Sequence, residues 1–84
     1  MGKHEKLLER LQAKPKDFTW NELATLLGGL GYREVTGGKT GGSRRRFVHD
    51  TAPAIFIHKP HPGNILKAYV VRDVVAALKE GGFI

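Results

Sequence analysis

The chain is predicted to fold as a small α+β sandwich, with helices on one face of a three-stranded antiparallel sheet, in the order α-α-β-β-β-α. Leu and Val stripes at helical spacing predict the helices. A central stretch of β-branched and aromatic residues, cut by Gly- and Pro-rich turns, predicts the sheet. No repeat or linker divides the 84 residues, so one domain, 1–84, is expected, with its first helix as an extension.

The first helix spans about residues 3–13, where Leu7, Leu8 and Leu11 share a face, and Pro15 ends it. Thr19 and Glu22 fit a capping box, and Phe18 and Leu23 occupy the positions of a hydrophobic staple. The second helix then carries Leu23, Leu26, Leu27 and Leu30 as one stripe, and Gly31 is its C′ stop. Trp20 falls at the exposed start of this helix, where staple packing accounts for it better than nucleobase stacking. Tyr32 to Thr36 forms a short strand, with Val35 as its main apolar residue. Two further strands run from Ser43 to His49 and from Ala54 to Lys59, joined by the turn Asp50-Thr51-Ala52-Pro53. Pro60-His61-Pro62-Gly63 is irregular, because neither proline can continue a ladder. The last helix spans about Ala68 to Lys79, with Val71, Val74, Val75 and Leu78 on one side and Gly81-Gly82 at its end.

A four-residue turn would set His49 opposite Ala54, Phe47 opposite Phe56 and Arg45 opposite His58. One face would then hold Arg45, Phe47, His49, Phe56 and His58, and the other Arg44, Arg46, Val48, Ile55 and Ile57. Both carry apolar surface, and the sequence leaves open which of them packs on the helices.

Charge narrows the partners. Fourteen Lys and Arg against eight Asp and Glu give a formal net charge of +6 and a pI near 10.0. That excess favours a polyanionic partner (nucleic acid, an anionic membrane or an acidic protein) over the alternative of a solvated basic surface without a partner. The sequence has no cysteine, which excludes disulfides and zinc–thiolate sites. Neither a membrane span of ~20 apolar residues nor a signal-like segment is seen, so a cytoplasmic protein with no membrane association is expected. The glycine run 37–42 with Lys39 lacks the phosphate-loop arrangement, and no helix follows it. His58 and His61 have a metal-like spacing but no nearby carboxylate, and a catalytic zinc site needs three protein ligands. No metal and no cofactor are expected.

Several short motifs, in their order and spacing, resemble the HicA-type toxins of toxin–antitoxin pairs over about Leu23 to Phe83. They are Leu30-Gly31-Tyr32, Gly42-Ser43 with Phe47 and His49, His61-Pro62-Gly63 followed by Leu66-Lys67, and a terminal helix with a Gly-hydrophobic tail. The resemblance implies a double-stranded-RNA-binding-domain-like fold, an mRNA interferase (endoribonuclease) activity and neutralisation by a cognate HicB-like antitoxin, as a homo-oligomer or a hetero-oligomer with it. In that family the second strand usually opens Gly-Ser-His, and the histidine is held responsible for cleavage. Here that position is Arg44, so the activity does not carry over with its catalytic residue attached.

Ribonuclease chemistry needs a base for the 2′-hydroxyl proton, stabilisation of phosphorane charge and an acid for the leaving 5′-oxygen. Histidine can serve as base or acid near neutrality, whereas arginine stays charged and can only stabilise. The candidates are His58 first, then His61, then His49, with Arg44 in support. Each histidine taken singly reads more readily as a surface or hydrogen-bonded structural residue. Lys39, Ser43, Arg44, Arg45, Arg46, Lys59 and Lys67 are the expected RNA-binding residues. About five phosphate contacts on a single strand would give a log–log salt slope of roughly −3 to −4. Two other readings stand beside the toxin: an RNA-binding module that does not cut, and a domain that binds only an acidic protein.

Overall fold

The computed structural model describes residues 3–36, 44–60 and 63–84. Its elements are helices α1 (Lys3–Gln12), α2 (Trp20–Gly29) and α3 (Ala68–Glu80), and strands β1 (Arg33–Thr36), β2 (Arg44–Val48) and β3 (Ile55–His58). The strands form one antiparallel sheet in the order β1-β2-β3, and the helices pack on one of its faces. This is the predicted α+β architecture.

The leucine and valine stripes meet in the core. Leu11 of α1, Leu23, Leu26 and Leu27 of α2, and Val70, Val71, Val74, Val75 and Leu78 of α3 are all buried there. Phe47, Ile55 and Ile57 supply the sheet's share. Trp20 is buried at 4% exposure, its ring 5.6 Å from that of Phe47. The expectation of an exposed Trp20 is therefore corrected. Its position at the helix start turns the indole inward, onto the sheet.

The capping box forms as the sequence requires. The Thr19 hydroxyl accepts the Glu22 amide at 3.2 Å, and the Glu22 carboxylate accepts the Thr19 amide at 3.0 Å. Arg10 of α1 reaches the same carboxylate at 2.8 Å and Asp17 at 2.7 Å, so one guanidinium ties the first helix to the start of the second. The Thr19 amide, helped by Arg10, holds the Glu22 carboxyl below its ordinary pKa. The chain between β3 and α3 is pinned to the same region. The Trp20 amide donates to the Asn64 carbonyl at 2.7 Å and the Leu66 amide to the Phe18 carbonyl at 2.8 Å. Leu66 is buried as a result.

The hairpin register differs from the expected one by a single residue. Arg44 pairs with His58, Arg45 with Ile57, Arg46 with Phe56 and Phe47 with Ile55. A one-residue slip moves every side chain of β3 to the opposite face. Phe47, Ile55 and Ile57 thus share the helix-covered face, and Phe56 and His58 join Arg44 and Arg46 on the other. The physical reason is burial: this register places three large apolar side chains together in the core, while the expected one divides them between faces.

Candidate nucleic-acid interface

The face turned away from the helices is built in cross-strand rows. Arg33 pairs with Val48, Val35 with Arg46, Arg46 with Phe56, and Arg44 with His58. Val35 and Val48 are half-buried, whereas Arg33, Arg44, Arg46, Phe56 and His58 are exposed. Directly paired antiparallel residues place their Cβ atoms about 5 Å apart, so Arg44 and His58 are side-chain neighbours across the strands. A shallow depression of about 220 Å³ is lined by Arg44, Phe56, Ile57 and His58. Phe56 is 64% exposed, the highest value among the described large apolar residues.

Arg45 has a different setting. Its alternation turns it to the helix-covered face, where its Nε lies 3.4 Å from the Glu34 carboxylate and the side chain is 20% exposed. Three consecutive arginines therefore divide two to one between the faces. Arg33 lies 3.8 Å from Asp50 in an exposed pair. Lys59 sits beyond the end of β3 with its ammonium 6.0 Å from the Trp20 ring centre. Lys67 is the exposed N-cap residue of α3. Lys39, Ser43 and His61 lie outside the described residues.

His49 lies just beyond the other end of β2, and the turn is built on it. Its Nδ1 accepts the Thr51 and Ala52 amides at 3.0 and 3.2 Å, so the proton sits on Nε2, which donates to the Leu30 carbonyl at 3.0 Å. The ring packs against Tyr32 at 4.9 Å and Phe83 at 5.4 Å between centroids. Burial raises the Tyr32 pKa, and its hydroxyl donates to the Pro53 carbonyl at 3.3 Å. Gly31, at φ +99°, lets the chain pass close to the imidazole: a Cβ there would lie 2.9 Å from the His49 Nε2. Among the described histidines, His58 is thus the one placed beside Arg44, and His49 is the one committed to the turn.

The electrostatic rows, the exposed ring and the imidazole define a class: a small α+β domain that presents a cationic, partly aromatic sheet face. A family model described as the HicA toxin of bacterial toxin–antitoxin systems matches residues 20–82. The chain belongs to the HicA toxin family, and membership implies an antitoxin partner. No curated protein and no solved structure matches it. The helix α1 lies before the matched segment, and Arg10 ties it to Glu22 inside that segment. No helix among the described residues is long and apolar enough to cross a membrane.

Proposed function

We propose that this toxin is an endoribonuclease acting on mRNA, with the outward face of β2 and β3 as its RNA-binding surface and with His58 in the acid–base role. The observation that carries the reading is the direct pairing of Arg44 with His58. At the position where the family usually has histidine, arginine supplies a fixed positive charge, and a titratable imidazole stands one strand away.

In this scheme the phosphodiester rests against Arg44, whose planar fork suits phosphate oxygens. His58 accepts the 2′-hydroxyl proton, and the 2′-oxygen attacks the adjacent phosphorus. Arg44 stabilises the added charge of the phosphorane. The P–O5′ bond then breaks, leaving a 2′,3′-cyclic phosphate, and the 5′-oxygen takes up a proton as the 5′-hydroxyl product forms. The donor of that proton is assigned to His61, supported by its place three residues after His58. Arg44 and Arg46 supply phosphate contacts from the outward face, with Lys39, Ser43, Lys59 and Lys67 assigned on sequence alone. The antitoxin neutralises the toxin by covering the same basic face. No metal or cofactor takes part.

Incubation of the purified protein with mRNA in chelator tests this reading. Fragments ending in cyclic phosphate are expected from the wild type, and a 10²-fold or larger loss of rate from His58→Ala. Intact RNA after incubation with folded wild-type protein would contradict it. A second reading, RNA binding without cleavage, is favoured by Arg44 itself, since a permanent cation is no base. RNA retained without products selects that reading.

A further inference from the structure

We infer that Phe56 is a stacking platform for an unpaired nucleobase, so that this face selects single-stranded over double-helical RNA. The inference rests on the proposed RNA-binding role of the face and names the kind of RNA it takes. An exposed aromatic residue alone would carry little, since isolated apolar side chains are common on protein surfaces. The surroundings of Phe56 give the ring its meaning.

Phe56 pairs directly with Arg46, and the next outward row on the same two strands is Arg44 with His58. Residues two apart along a strand are about 7 Å apart. Phe56, Arg44 and His58 line one depression of about 220 Å³. An aromatic face, a guanidinium group and an imidazole thus line one space, with the Arg46 guanidinium on the strand residue paired with Phe56. A base stacked on Phe56 would leave its phosphate within reach of Arg44 and His58, and Arg46 beside the ring adds a cation along the backbone.

Duplex RNA cannot use this arrangement. Its bases are already stacked and paired, and A-form helices are recognised through the shallow minor groove and the phosphates. A splayed single strand offers its base faces at no such cost, and aromatic stacking tolerates any base. The charge of the row also favours a polyanion over an apolar partner.

The test uses the full chain, a 2′-O-methyl single-stranded RNA that resists cleavage, and a duplex of the same sequence. Wild type is expected to hold the single strand at least tenfold more tightly than the duplex. Phe56→Ala is expected to weaken single-strand binding about tenfold or more while leaving duplex binding within about twofold, and Phe56→Trp to restore it. The exposure of Phe56 makes both variants compatible with the fold, and unchanged thermal unfolding verifies this. Equal affinity for the two RNAs, or a Phe56→Ala variant that binds the single strand like wild type, overturns the inference while leaving RNA binding intact. Loss of antitoxin capture with unchanged RNA binding in Phe56→Ala assigns the ring to protein docking and also overturns it. Failure of wild type to bind either RNA overturns this inference together with the RNA-binding role.

Discussion

The two ends of the β2–β3 hairpin carry the same kind of side chain in opposite circumstances. At the turn end, His49 is held by two amides, a carbonyl and two aromatic rings. At the open end, His58 faces outward across from Arg44. The imidazole at the turn end is a hydrogen-bonding spacer that shapes a turn, whereas the one at the open end stands in a row with a guanidinium. The comparison teaches that histidine count and strand position alone do not tell what each ring does. The surroundings of each ring decide it.

The sharpest way to break this contrast is to remove each ring in turn. His58→Ala is expected to lower RNA cleavage by 10² or more and to leave the unfolding midpoint within a degree or two, as cleavage assays and thermal scans would show. His49→Ala is expected to reverse that pattern. It leaves the turn amides and the Leu30 carbonyl without their partner, which costs about 1–3 kcal/mol. For a domain of this size each kcal/mol lowers the midpoint by about 4–8 °C. Equal stability losses in both variants would erase the distinction between the two ends.

Gly31→Ala probes the same turn from the opposite side. The substitution places a Cβ against the His49 ring and forces a non-glycine residue to positive φ. A loss of about 1–3 kcal/mol is expected in chemical denaturation. The double variant Gly31→Ala with His49→Ala should lose less than the sum of the two, because removing the ring relieves the clash.

Smaller effects belong to the helix start, away from both histidines. Thr19→Ala is expected to cost about 1 kcal/mol through loss of the cap. The Glu22 carboxyl has a folded pKa below its ordinary value of 4.5, so the stability it contributes is complete above that value and is lost as the pH falls through the folded pKa. Acid unfolding of Arg10→Ala, which removes the guanidinium bound to that carboxylate, should show a weaker dependence on pH in that range than wild type, whereas Thr19→Ala, which keeps the backbone amide, should lose little of it.

Much of this organisation was legible in the sequence because it is local. The capping box at Thr19 and Glu22, the leucine and valine stripes and the stop at Gly31 depend on residues a few places apart, and each stands where its pattern requires. The hairpin register was not legible. Phe47 and Phe56 support one alternation, Ile55 and Ile57 another, and only the joint burial of Phe47, Ile55 and Ile57 chooses between them. That choice carried Phe56 outward and Arg45 inward, to Glu34. Trp20 was misread for a related reason: a helix's first residue is exposed unless something distant, here Phe47, comes to meet it.

Several residues of the motifs that carry the resemblance are architectural. Leu30, Gly31 and Tyr32 before β1, with His49 after β2 and Phe83 in the tail, converge on one imidazole. They hold the fold together whatever stands at position 44.

The most direct test of the outward face as the RNA surface is an amide-resolved NMR titration with a 2′-O-methyl RNA strand. The account predicts shifts concentrated at Arg44, Arg46, Phe56 and His58, with the amides around His49 and along α1 and α3 unmoved. Shifts concentrated on the helices, with the Arg44–His58 row unchanged, would contradict it.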